Sequence, residues 1–162
     1  MIPVLDVARY IINYSNEKNY SISNLKLQKL LYFVQAYYLA FTSSHEPCFS
    51  DEIEAWSFGP VVPAAYHEFK SFGGGEIPPV TSYYILETKN NLWSIREVPF
   101  DDNCIGEDDK RIINDIVDKF SAYSAAELVQ LTHNQTPWKN AYRPRQNAII
   151  TKDAIQGYFN GQ

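Results

Sequence analysis

Ser23 and Lys26 stand three residues apart at the head of an apolar run, the spacing of the serine–lysine pair in penicillin-binding enzymes. That acyl transfer also needs Ser-Asp-Asn and Lys-Thr-Gly elements, and neither follows. The pair is therefore read as an exposed helix cap and a solvated lysine. The histidines His45, His67 and His133 lack zinc-ligand spacing, and His67-Glu68 lacks the second histidine of a metalloprotease helix. Gly73-Gly74-Gly75 is followed by no lysine and hydroxyl residue, so it is a helix stop and not a phosphate loop. Cys48 and Cys104 are far apart in no metal-like spacing and read as reduced thiols. A thiol–histidine nucleophile would need a tertiary contact that spacing does not reveal. The expectation is no catalytic set, no metal and no cofactor.

Aromatic residues cluster where chemistry is missing. "EIEAWSFGPVVPAAY" (52–66) alternates acids and large rings (Glu52, Glu54, Trp56, Phe58) ahead of Gly59-Pro60 and a second proline, Pro63. "LTHNQTPWKNAY" (131–142) sets His133, Trp138 and Tyr142 around a tight turn. Such rings serve interhelical packing or anchor protein–protein contacts, where Trp and Tyr are favoured. An alternating strand points Trp56 away from Ile53 and Ala55, so its ring needs a separate partner. The expectation is that the 52–66 corner meets the 133–138 turn, with Trp56 close to Trp138.

These residues must be positioned by regular elements. Val4, Ala8, Ile11 and Ile12 share a helical face. Ser21 or Ser23 caps a second helix, "NLKLQKLLYFVQAYYLAF", apolar almost all round and hence central. Its exceptions are Gln28 and Gln35 on one face, read as satisfied groups at a helix–helix seam, and Lys26 and Lys29 on another. "EIEAW" reads as a strand and Gly59-Pro60 as the turn after it. Pro63 opens a helix burying Tyr66, Phe69 and Phe72. "SYYILET" and "LWSIREV" flank a polar turn as a hairpin. Acids at 107–109 suit the start of a helix whose inner face is Ile112, Ile113, Ile116, Val117 and Phe120. Ser124 with Glu127 forms a capping box, Thr136 caps a turn at Pro137, and a last helix starts near Thr151. The fold class is mainly α (α+β): a single helical domain over 1–162, with a strand near 52–56 and a hairpin near 82–98.

A length of 162 residues, 45% of them hydrophobic, supports one core. Net charge is −5, and acids concentrate at Asp101, Asp102, Glu107, Asp108 and Asp109. Nucleic acid is thus a disfavoured partner. The candidate reading helix, 125–133, carries no Lys or Arg to meet phosphates or guanines. "MIPVLDVARYIINY" shows no basic leader, and no run nears the ~20 apolar residues of a membrane span. The cytoplasm is the expected location, with no membrane partner.

Three blocks, "LKLQKLLYFVQAYYLAF", "EIEAWSFGPVVPAAYHEF" and "AAELVQLTHNQTPWKNAY", in this order and spacing resemble the Panacea-domain family. These are the SocA-like antitoxins and phage-associated GepA-type proteins. The resemblance runs from about Val4 to Tyr142; the stretch from about Pro78 to Asn103 and the tail after Arg145 carry no matching motif. It carries over to Leu27, Gln28, Lys29, Leu30, Leu31, Tyr32 and Phe33. Glu54, Ala55, Trp56, Gly59, Pro60 and Val61 follow, and then Leu131, Thr132, His133, Pro137 and Trp138. It implies a mostly helical antitoxin, encoded on a prophage or in a toxin–antitoxin pair, that binds the toxin of a neighbouring gene and masks it or delivers it to a protease. No catalytic activity transfers with it. The candidate contacts are Trp56, Phe58, Tyr66, His133, Trp138 and Tyr142. The alternative is a small hydrolase or nucleotide-processing enzyme using His133 with Glu54.

Overall fold

Asn24–Phe41 (α2) is apolar on every side, and a helix of that kind lowers its free energy only when surrounded. In the computed structural model, which describes residues 1–161, the other elements are arranged around it. They are α1 (Val4–Glu17), β1 (Ile53–Trp56), β2 (Gly59–Val61), α3 (Pro63–Phe69), β3 (Ser82–Lys89) and β4 (Leu92–Pro99). After these come α4 (Glu107–Lys119), α5 (Ala125–His133), α6 (Thr136–Ala141), β5 (Ile149–Ile150) and α7 (Lys152–Asn160). The fold is mainly α with small sheets. Helices α1, α3, α4, α5 and α7 pack on α2, and Leu27, Leu30, Leu31, Tyr32 and Val34 lie at the centre of one buried cluster. No helix among the described residues is long and apolar enough to cross a membrane.

Helix starts follow local chemistry. Ser23, Ser124 and Thr151 accept hydrogen bonds from the amides of Lys26, Glu127 and Ala154, satisfying donors that a first turn leaves free. Thr136 does not cap α6: Gln135 holds the N-cap position without a side-chain cap. The Gln135 carboxamide oxygen instead accepts the buried Tyr32 hydroxyl at 2.9 Å. Tertiary hydrogen bonding has displaced a local one there.

Gly59-Pro60 is strand rather than turn. The chain reverses at Ser57-Phe58, and β2 pairs antiparallel with β1, with Trp56 opposite Gly59 and Glu54 opposite Val61. β5 pairs on the far side of β1 and places Ile150 opposite Ile53, a strand too short to leave a periodic signal. Proline is tolerated in β2 because this is an edge strand. The amide of the facing Ala55 points the other way, to the Ala148 carbonyl, so the absent Pro60 N–H breaks no ladder bond. Pro63 does open α3, but of the three rings only Phe69 is buried; Tyr66 is half-buried and Phe72 is exposed. A 3-10 turn over Lys70–Phe72, stopped at Gly73, swings Phe72 outward. β3 and β4 pair through the whole hairpin, from Ser82 opposite Pro99 to Lys89 opposite Leu92.

Candidate interaction site

α2 positions the site through polar side chains that serve irregular backbone. The Gln28 carboxamide oxygen accepts the Val62 amide at 2.9 Å, and its nitrogen donates to Asn24, which donates on to the Tyr66 carbonyl. At the next position, Lys29 Nζ donates to the Pro60 carbonyl at 3.0 Å. Gln35 accepts the Cys48 amide at 2.8 Å and donates to the Phe49 carbonyl. The two glutamines therefore do not line a helix–helix seam; they tie non-helical chain to the central helix. Lys26 is likewise not solvated, since it is buried and donates to the Ser121 carbonyl.

Burial without a carboxylate partner pushes the Lys29 ammonium down to about 7. The side chain lies against the backbone of Gly59, with Thr132 on the same side. His133 next to them is also held below its ordinary range, chiefly by desolvation and further by Lys29, while a backbone hydrogen bond at Ser57 opposes the shift. The imidazole is thus neutral at pH 7. Its Nε2 is buried without a partner, and the ring stacks on Trp138 at 3.9 Å between centroids.

Trp138 is the middle ring of a stack, with Tyr142 at 4.6 Å and 14° on its other face. Its indole N–H donates to the Trp56 carbonyl at 2.8 Å, across 82 positions of sequence. The 52–66 corner and the 133–138 turn therefore meet in space. The join is indole to carbonyl, because the Trp56 ring points elsewhere: its N–H reaches Glu54 Oε2 at 2.7 Å, and Tyr66 meets it edge-on at 4.8 Å. Both indoles are half-buried, and Phe58 at the hairpin tip is exposed.

A cleft of about 530 Å³ opens beside this join. Trp56, Phe58, Tyr66 and Tyr142 line it, while His133 and Trp138 brace it from behind. Sequence reasoning missed the two cations at its rim, Lys70 and Arg145. Neither carried a signal: Lys70 sits in the unforeseen 3-10 turn, and Arg145 takes a left-handed φ of 64° in the tail. Among the described residues, no carboxylate lines this cleft, although the chain as a whole carries −5.

Glu54 and His133 are not joined as an acid–base pair. Glu54 accepts the Trp56 indole, and the His133 ring lies in the stack with its own bond at Ser57. Cys48 is no nucleophile either, as burial pushes its thiol up to about 12. No group of three or more His, Cys, Asp or Glu among the described residues could hold a metal ion.

A protein-family model described as "Antitoxin SocA-like, Panacea domain" matches residues 27–139, which include most of α2, the β1–β2 hairpin and the His133–Trp138 stack. The curated protein "Antitoxin SocA" of Caulobacter vibrioides (strain NA1000 / CB15N) is 39% identical over 67 residues. That stretch is 41% of this chain and 35% of the relative, so the match spans about a third of the relative's length. No solved structure matches the chain at a significant level.

Proposed function

The chain belongs to the SocA-like antitoxin family with the Panacea domain, and from that premise we propose that it neutralises a toxin by seating part of it in the cleft between Phe58 and Tyr142. The observation that carries the reading is convergence: four of six candidate residues from two distant sequence blocks line one cleft, and the other two support it. Aromatic rings held by stacking bind at little entropic cost. Lys70 and Arg145 without opposing carboxylates favour a toxin segment bringing an apolar side chain and an acid. The toxin is a neighbouring gene's product, and the chain masks it or hands it to a protease; it does no chemistry of its own. The separate hydrogen bonds of Glu54 and His133 weigh against the hydrolase reading.

Co-expression with the neighbouring toxin tests this. Wild-type chain restores growth and co-purifies with the toxin. Phe58→Ala and Arg145→Glu, both exposed, lose rescue and capture at an unchanged melting temperature. Full rescue by both variants sinks the cleft assignment. Loss of rescue in His133→Ala and Glu54→Gln, with toxin capture intact, would revive the enzyme.

A further inference from the structure

Five large apolar side chains outside the cleft are exposed on the β3–β4 hairpin. The register pairs Leu86 with Ile95 and Thr88 with Trp93, so both pairs, with Tyr84, stand on one face of a two-stranded sheet. Tyr84, Leu86, Leu92, Trp93 and Ile95 are 63–72% exposed. The hairpin itself is well formed: Asn90 and Asn91 both take positive φ, as a two-residue hairpin turn requires. Its opposite face and base are anchored. The Arg9 guanidinium lies 3.6 Å over the Tyr83 ring, and Asn13 bonds both the amide and the carbonyl of Val80. One face is thus held on α1 while the other presents large apolar side chains to water. A two-stranded sheet with an uncovered apolar face is marginal on its own.

We propose that a second copy of this chain covers that face, the two hairpins packing face to face about a twofold axis. Area supports this. Trp93 and Tyr84, rings of a size that bury roughly 150–250 Å² each, with Leu86 and Ile95 beside them on that face and Thr88 at its edge, bring the patch to the order of the ~800 Å² per partner in a standard interface. Charge selects the occupant. That face carries one charged residue within a chain of −5, Glu97, whose carboxylate accepts the Ser82 hydroxyl; Glu87, Lys89 and Arg96 stand on the opposite face. A basic partner is steered instead to the acidic stretch at Asp101, Asp102 and Glu107–Asp109. Another copy, equally acidic, meets least repulsion on an apolar face with a single acid. In a twofold contact the same patch serves both sides, and Leu86 and Ile95 of each copy pack against their counterparts. This association is independent of the toxin-binding reading.

Sedimentation equilibrium of the chain alone, from low to high micromolar concentration, tests it. The expected mass rises toward twice that of the monomer. The triple variant Leu86→Thr, Trp93→Thr and Ile95→Thr keeps strand propensity and stays monomeric with an unchanged melting temperature measured at low concentration. Hydrogen exchange on the wild type needs no variant: the β3 and β4 amides exchange more slowly as concentration rises. A wild type monomeric throughout, or a triple variant that still dimerises, overturns the proposal. So does a monomer whose triple variant loses toxin capture, which reassigns the face to the toxin.

Discussion

Lys29 is wholly buried, and the Pro60 carbonyl accepts from its Nζ. Its folded value of about 7 lies below the ordinary 10.5. Between these two values the unfolded chain holds a proton that the folded chain has released, so stability rises with pH across that window. Below pH 7 both states are protonated and the burial cost is carried in full; above 10.5 neither is. Tyr32 and Tyr38 act oppositely, because burial raises both, and stability falls once unfolded tyrosines ionise near pH 10. Cys48, raised by burial from an ordinary 9, acts the same way once the unfolded thiol ionises, so the clear window is pH 7 to 8. Urea denaturation should show a slope there approaching about 1.4 kcal/mol per pH unit, the effect of one proton. In Lys29→Met this component is lost. Equal slopes in the two proteins would mean that Lys29 is solvated. None of this was legible in "LKLQKLL": Lys29 occupies a buried face, and its acceptor comes from a proline carbonyl 31 positions away.

The β1–β2 hairpin is the element that joins core to cleft, and Gly59 sets how closely it approaches α2. Gly59 has φ +102, and a Cβ there would stand 2.7 Å from Lys29 Cε and 2.8 Å from Thr132 Oγ1. Gly59→Ala should cost about 1–3 kcal/mol from backbone strain alone, with displacement of Lys29 added. Chemical denaturation reads the loss, and a change under about 0.5 kcal/mol would show that the hairpin stands off the helix. The sequence signal here was real but misassigned. Gly-Pro does disfavour a central strand, yet β2 is an edge, and the glycine marks close packing and not a reversal. By contrast, β3 and β4 were readable because Asn90-Asn91 is a local turn signal between two β-rich runs.

For the whole molecule, the buried cluster is continuous from Val4 of α1 through α2 to Ile155 of α7, which motivates one cooperative unit. Calorimetry at neutral pH should show a single transition, and two resolved transitions would divide the chain. Leu30 is buried in the middle of α2, so Leu30→Ala should lower that transition by about 2–5 kcal/mol, the usual cost of a large-to-small truncation in a core. A loss below about 1 kcal/mol would place Leu30 at a surface. The sequence by itself determined what depends on neighbours within a turn or two: the amphipathic faces of α1 and α4, the all-round apolarity of α2 with a serine cap at Ser21 or Ser23, the cap at Ser124, the start of α7 near Thr151, and the alternation of Ile53 and Ala55. It also indicated that Trp56 needed a partner. Only the tertiary structure decided which partner. The Trp138 indole takes the Trp56 carbonyl while the Trp56 ring turns to Glu54 and Tyr66; β5 pairs with β1; and Gln28 and Gln35 hold backbone and not helices. Those choices rest on contacts between residues far apart in sequence, where periodicity carries no signal and the competition for each buried donor and acceptor is settled by packing.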